Sequence, residues 1–87
     1  MKLYFLQSLK KESFYVGISH DPEARLNDRH NKKKVKSTKN LAPWVIIYTE
    51  NHNSHKEARK REKYLKSYGG VKEKREIILK NKVSNCI

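Results

Sequence analysis

The uncharged run from Trp44 to Thr49 constrains the fold more than any other part of this sequence. Its residues are all aromatic or β-branched, and a short continuous run of this kind is typical of a strand that is buried on both faces. Because 34% of the 87 residues are charged, few other segments could fill such a position. The sequence therefore predicts that this run is the central strand of a sheet.

Two shorter apolar runs near the start of the chain predict a β-hairpin. Leu3 to Leu6 and Phe14 to Ile18 are rich in aromatic and aliphatic residues, and the polar stretch Lys10 to Ser13 lies between them. Two such runs on either side of a short polar connection are the usual pattern of paired antiparallel strands. The hairpin brings the expected number of strands to three.

A helix is predicted directly after the hairpin, because Asp21 and Pro22 suit an N-cap and a first helical position. This helix runs to about Asn31 and is followed by the basic stretch 32–40. That stretch is short of large apolar side chains, so we expect a loop there.

Two further helices are predicted after the third strand. Ser54 and Glu57 have the spacing of a capping box and begin a helix that continues to about Tyr68, where a glycine pair ends it. A shorter helix covers Val71 to Leu79.

The order of these elements predicts an α+β fold, with a small three-stranded antiparallel sheet flanked by helices. We expect one domain over residues 1–79 and a flexible tail over residues 80–87. The longest apolar run, Ala42 to Tyr48, is far shorter than the ~20 residues that cross a bilayer. A soluble, cytoplasmic protein is therefore expected.

The charge of the chain indicates a polyanionic partner. Lys and Arg number 21 against 9 Asp and Glu, which gives a formal net charge of +12. Nucleic acid is the leading candidate, because its phosphates release counterions when cationic side chains bind them. The loop lysines would contact phosphates, which carry no sequence information, so little sequence preference is expected. They are Lys32, Lys33, Lys34, Lys36 and Lys39.

Glu62 is the first candidate for chemistry. It lies at helical spacing between Ala58 and Leu65 and so interrupts an apolar stripe. A partly buried carboxylate needs a partner, which could be a bound cation or one of the nearby lysines Lys56, Lys60 and Lys66. A single carboxylate favours Mg²⁺ or Mn²⁺, which keep water ligands, over zinc.

Tyr4, Tyr15 and Arg25 are further candidates. In the hairpin, the two phenols share a face whenever the numbers of paired residues add up to an odd number. They could then converge, or simply pack their rings and leave the hydroxyls in water. Arg25 follows a strand that contains Gly17, where a phosphate can approach closely; the alternative is an ordinary exposed arginine.

Taken in order along the chain, these residues resemble the GIY-YIG nuclease superfamily, and most closely its small stand-alone UvrC/URI-type members. The resemblance covers about Lys2 to Tyr68. It rests on Tyr4, Tyr15-Val16-Gly17, Arg25, His30-Asn31, Lys36-Ser37-Thr38-Lys39, Pro43-Trp44 and Arg61-Glu62-Lys63.

The resemblance implies a role for each matching residue. Tyr15 would lie next to the attacking water as the general base or its assistant, with Tyr4 hydrogen-bonded beside it. Arg25 would contact the scissile phosphate and Glu62 would bind a divalent Mg²⁺ or Mn²⁺ ion. His30 is the other candidate for the general base.

Two departures from the family pattern concern the same site. Lys2-Leu3-Tyr4 stands where the family has Gly-Ile-Tyr. The family commonly has His or Tyr at the position of Arg29, whereas the histidine here falls one residue later, at His30. Since one residue rotates an α-helix by about 100°, His30 would miss the site unless the helix is adjusted.

The function that the resemblance implies is a metal-dependent endonuclease acting on DNA, branched or single-stranded DNA included, with repair or recombination as its setting. Two alternatives stay open. One is a nucleic-acid-binding module of the same fold that has lost cleavage, and the other is a basic protein associated with RNA or the ribosome.

Overall fold

The computed structural model describes residues 1–32 and 38–83 and has the α+β fold that the sequence predicts. Strands β1 and β2 form the hairpin, and the third strand, β3, precedes the two longer helices. The bounds are β1 Lys2–Ser8, β2 Phe14–Ser19, α1 Pro22–Arg25, a π-helical turn Leu26–His30, a 3₁₀ turn Lys39–Leu41, β3 Trp44–Asn51, α2 His55–Lys66, a 3₁₀ turn Tyr68–Gly70 and α3 Val71–Asn81.

The three strands form one antiparallel sheet in the order β2-β1-β3. The predicted central position of the Trp44 to Thr49 run is therefore wrong: β1 is central and β3 is an edge strand. A bulge opposite Phe5 and Leu6 leaves Ile47 without a pairing partner, which changes the face that the following residues of β3 point to. Apolar side chains of β3 thus reach both faces of the sheet, and such a pattern cannot distinguish an edge strand from a central one.

Each face of the sheet has its own apolar cluster. Leu3 and Phe5 of β1 pack with Leu65 of α2 on one face. Tyr4 and Leu6 alternate with them and pack with Trp44 on the other face. Helices α2 and α3 cover the first cluster, and residues of the π-helical turn and of the 3₁₀ turn before β3 cover the second. Within the described part of the chain, no helix is long and apolar enough to cross a membrane.

Both predicted N-caps are confirmed. The Asp21 carboxylate accepts a hydrogen bond from the Ala24 amide at 3.2 Å, and the Ser54 hydroxyl accepts one from the Glu57 amide at 3.2 Å. These caps fix where α1 and α2 begin.

The end of the described chain is attached to the sheet. Helix α3 continues to Asn81, and the Gln7 side chain then makes hydrogen bonds of 2.8 and 3.0 Å to the backbone of Val83. Residues 84–87, which belong to the predicted tail, lie outside the described residues.

Gly70 is required by the turn between α2 and α3, which leads to a first prediction. A Cβ atom at this position would lie 2.0 Å from the carbonyl oxygen of Tyr64, a backbone atom that cannot move aside cheaply. We expect Gly70→Ala to lower the free energy of unfolding by about 2–3 kcal/mol. Urea denaturation followed by circular dichroism measures it.

The neighbouring Gly69 provides a matched control. A Cβ atom there meets only the Ser67 hydroxyl oxygen, at 4.0 Å. Gly69→Ala should therefore change stability by less than about 0.5 kcal/mol. Equal losses in the two variants would show that the close approach at Gly70 is not the cause.

Candidate active site

The hairpin register places Tyr4 and Tyr15 on one face of the sheet. Tyr4 pairs with Gly17 and Leu6 pairs with Tyr15, so the two phenols are diagonal neighbours. Their ring centroids are 6.3 Å apart. A Cβ atom at Gly17 would lie 2.7 Å from the Tyr4 hydroxyl oxygen and 2.9 Å from Cε2 of Tyr15. Only glycine therefore leaves room for both rings.

His30 lies beside these two phenols. Its Nε2 atom is 2.9 Å from the Tyr4 hydroxyl oxygen, and its ring centroid is 4.9 Å from that of Tyr15. Its Nδ1 atom is 3.0 Å from Oγ1 of Thr38. His30, Tyr4 and Thr38 are all fully buried. Both ring nitrogens of the histidine are thus engaged inside the protein.

A π-helical turn explains how His30 reaches this position. The amide of Asn31 donates to the carbonyl of Leu26, five residues earlier, at 2.9 Å. A π-helical turn holds one residue more than an α-helical turn. It therefore accommodates the one extra residue by which this sequence differs from the family spacing. In a regular α-helix that extra residue would rotate the His30 side chain away by about 100°, whereas here it points to Tyr4.

Burial keeps the Tyr4–His30 pair uncharged at neutral pH. It raises the pKa of Tyr4 to about 12, to which the nearby Tyr15 also contributes, while Arg25 opposes the rise. Burial, followed by the positive charge of Arg25, lowers the pKa of His30 to about 4. A neutral imidazole has one N–H, so one ring nitrogen donates and the other accepts.

The lowered pKa of His30 predicts a pH dependence of stability. The imidazole of His30 binds a proton more tightly in the unfolded chain than in the folded protein. The contribution of neutral His30 to the free energy of unfolding is therefore complete above its ordinary pKa of about 6.5 and is lost as the pH falls toward 4. The loss due to His30 should reach about 3 kcal/mol. Urea denaturation at a series of pH values measures it.

His30→Gln isolates this contribution, because its amide does not titrate in that range. The variant should be less stable than the wild type at neutral pH, and the gap should narrow as the medium is acidified. Parallel curves for the two proteins would contradict the assignment.

Arg25 lies at the rim of the same site. Its charge acts on both Tyr4 and His30, and its Nε atom is buried without a hydrogen-bond partner in the described structure. A cavity of about 400 Å³ opens beside it, and its other titratable lining side chains are His20, Asp21, Asp28, Arg29 and His55. A buried guanidinium nitrogen without a partner is suited to an oxygen of a bound phosphate.

Glu62 of α2 reaches the site from the side of β2. Only 15% of its side chain is exposed, and Ala58 and Leu65 on either side of it are buried, as the helical spacing predicts. Its negative charge contributes to the raised pKa of Tyr4. Lys66 Nζ lies 3.1 Å from Glu62 Oε2 and 5.6 Å from the centroid of the Tyr15 ring. The side chains of Glu62, Lys66 and Tyr15 therefore meet.

The orientation of α2 is fixed next to Glu62. Arg61 Nε donates to Glu50 of β3 at 2.8 Å, and the same guanidinium also contacts Glu73 of α3. These two ion pairs link the helix to an edge strand and to the following helix. Glu62 therefore lies on a helix whose orientation is held by these ion pairs, and not on a loop.

The donor set fits a hard divalent cation that keeps most of its water. The described residues contain no group of three or more His, Cys, Asp or Glu side chains that could enclose a metal, so a structural zinc site is not formed by them. A single carboxylate is a common protein contribution to Mg²⁺ binding. The Lys66 ion pair is of the i,i+4 surface type, worth only about 0.3–0.5 kcal/mol, so a divalent ion can displace it.

The structure describes the predicted basic loop only in part. Lys32 is exposed, and Lys39 begins the short turn before β3. Lys33, Lys34 and Lys36 lie outside the described residues.

Sequence reasoning did not assign a role to three side chains that support the site. Thr38 contacts His30, and its carbonyl accepts a hydrogen bond from the Trp44 indole at 2.8 Å. Asn31 bonds to the backbone of Trp44 at both its amide nitrogen and oxygen. These residues stand in the family motifs, but only the fold shows that they anchor the histidine.

Comparisons with known proteins identify the family of this chain. The family model described as the GIY-YIG catalytic domain matches residues 1–83. The chain is 33% identical to a UPF0213 protein of Staphylococcus haemolyticus over 64 residues, which cover 74% of this chain and 78% of the relative. It is 27% identical to the UPF0213 protein YazA of Bacillus subtilis over 79 residues, covering 91% and 78% of the two chains.

No solved structure matches the chain significantly. The family model nevertheless covers nearly the whole sequence, and the resemblance drawn from the motifs is confirmed. The chain belongs to the GIY-YIG catalytic domain family, which is a superfamily of nucleases.

Proposed function

We propose that this protein is a metal-dependent endonuclease that hydrolyses phosphodiester bonds of DNA with little sequence specificity. One observation carries the proposal: Tyr15, the buried Tyr4–His30 pair, Arg25 and Glu62 meet at the β2 side of one small sheet. Hydrolysis needs an activated water, stabilisation of the phosphate charge and help for the leaving oxygen. DNA repair or recombination is the setting that family membership suggests.

Tyr15 is the better placed candidate for the group beside the attacking water. His30 is fully buried and has a partner at each ring nitrogen, so it has no free lone pair to offer to water. Tyr15 is only half buried, so solvent reaches part of its side chain in the folded protein. We therefore assign His30 to positioning Tyr4, and through it the hairpin face.

Arg25 and Glu62 would act on the phosphate itself. The free Nε atom of Arg25 would donate to a non-bridging oxygen and stabilise the charge that develops there. A Mg²⁺ or Mn²⁺ ion held by Glu62 supplies further charge stabilisation when it is bound. The lysines that follow His30 would hold the phosphate backbone without reading bases.

A second candidate is a nucleic-acid-binding module that does not cleave. The Lys66–Glu62 ion pair favours it, because the ammonium already balances the one carboxylate offered to a metal. A cation from the protein itself would then stand where a divalent ion is needed.

The purified protein distinguishes these candidates when it is incubated with labelled branched, single-stranded and duplex DNA. Each substrate is tested with Mg²⁺, with Mn²⁺ and with a chelator. Nicking only in the presence of metal supports the nuclease, whereas binding without nicking supports the module. Tight binding to ribosomes with no affinity for DNA at low salt would overturn both and favour a ribosome-associated protein.

A further inference from the structure

Five cations lie together on the solvent face of α2. At about 100° per residue they occupy an arc of about 120° on the helix surface. All five are exposed, and the two acidic residues of the helix, Glu57 and Glu62, lie outside the arc on opposite sides. We call this group the α2 stripe; it consists of Lys56, Arg59, Lys60, Lys63 and Lys66.

The α2 stripe has almost no counter-charge in the described structure. Lys66 pairs with Glu62, and the other four cations have no ion pair with any described carboxylate. Helix α3 differs, because Glu76 lies on its surface between the exposed Lys72 and Lys80. Mixed charges of that kind are sufficient for solubility, so solubility does not account for the single sign of the stripe.

The α2 stripe also borders the candidate active site. Its last member, Lys66, contacts both Glu62 and the ring of Tyr15. His55, at the start of the same helix, lines the cavity beside Arg25. The distance along the helix from Lys56 to Lys66 is about 15 Å, which is about four base steps of a nucleic-acid strand.

We propose that the α2 stripe binds the sugar-phosphate backbone of the nucleic acid next to the bond that is cleaved. The inference rests on the proposed function and adds to it the surface along which the substrate lies. A strand whose phosphate is held at Arg25 would continue along the cations of α2. Binding along α2 is electrostatic and independent of sequence.

Two triple variants with the same loss of charge test the inference. Lys56→Gln, Arg59→Gln and Lys63→Gln together remove three charges from the stripe. Lys72→Gln, Arg75→Gln and Lys80→Gln remove three charges of the same types from exposed positions on α3. Fluorescence anisotropy with a short labelled duplex, in chelator and at several salt concentrations, measures affinity without cleavage. Thermal melting checks that both variants fold.

The stripe variant should bind about tenfold or more weakly, and its plot of log affinity against log salt should flatten by about two to three units. The α3 variant should lose less than about threefold and keep its slope. Equal losses in the two variants would overturn the inference, since only net charge would then matter, and so would wild-type affinity in the stripe variant. The two proposals can fail separately. If the wild-type protein binds DNA but never nicks it, and the stripe variant still binds more weakly than the α3 variant, the proposed nuclease activity is refuted while the assignment of the α2 stripe as a nucleic-acid-binding surface is supported.

Discussion

Replacement of Glu62 by Gln is expected to reduce metal-dependent DNA cleavage by about a hundredfold or more and to leave DNA binding intact. Gln has the same shape, so Ala58 and Leu65 should pack as before. Its amide carries no charge, and a hard divalent ion with one protein ligand depends on that charge. Initial rates of plasmid nicking over a range of Mg²⁺ concentrations, beside anisotropy measurements of binding, test this expectation.

Glu57→Gln is the matched control for this prediction. Glu57 is exposed in the first turn of the same helix and lies on the side away from Tyr15. Its replacement should change the cleavage rate by less than about twofold, because the effect of one surface charge is small. Cleavage by Glu62→Gln at the wild-type rate would indicate a contaminating nuclease or a different metal site.

The parts of the fold that depend on local chemistry could be predicted from the sequence. Asp21 and Ser54 accept hydrogen bonds from amides three residues on, a preference that belongs to the residue types themselves. The hairpin was evident because its two apolar runs are separated by a short polar stretch. The caps and strand pairing need no knowledge of distant contacts.

The parts that depend on tertiary packing could not be predicted in the same way. The order of strands depends on which edge of β1 each of the other two strands pairs with. An edge strand whose two faces are both covered by helices and turns has the same apolar sequence pattern as a central strand, and β3 is such a strand. The bulge at Ile47 and the π-helical turn before Asn31 each accommodate one extra residue. No residue type is specific to a bulge or to a π-helical turn. The π-helical turn was indicated only by the one-residue departure of His30 from the family spacing.

The candidate site shows the same division. The partial burial of Glu62 followed from helical spacing. For Tyr4 and Tyr15 the sequence provided only a condition, that they share a face if the numbers of paired residues add up to an odd number, and the observed pairing of Tyr4 with Gly17 meets it. The partner of Glu62 could not be chosen, because both a lysine one turn away and a cation satisfy a carboxylate. Lys66 now occupies that place, and this is the reason that the metal requirement needs a direct experiment.

Tyr15→Phe is expected to slow cleavage at saturating DNA by about a hundredfold or more without weakening binding. The substitution removes only the hydroxyl. The ring can keep its contacts with His30 and with Tyr4, so the packing around Gly17 should be preserved. Single-turnover nicking rates separate the chemical step from binding, and thermal melting confirms that the fold is intact.

Tyr68→Phe is the matched control, because it removes the same hydroxyl from a side chain that is 98% exposed and has no part in the candidate site. This variant should cleave at the wild-type rate.

A comparison of Tyr15→Phe with His30→Gln decides between the two candidates for the general base. If Tyr15→Phe cleaves normally while His30→Gln does not, His30 is the group that activates the water. One of its ring nitrogens would then have to exchange its present partner, Tyr4 or Thr38, for water when DNA binds. If Tyr15→Phe alone abolishes the chemical step and His30→Gln merely slows it, the half-buried phenol of Tyr15 activates the water and the buried histidine acts through Tyr4. The second result is expected, because only Tyr15 of the two is open to water in the folded chain.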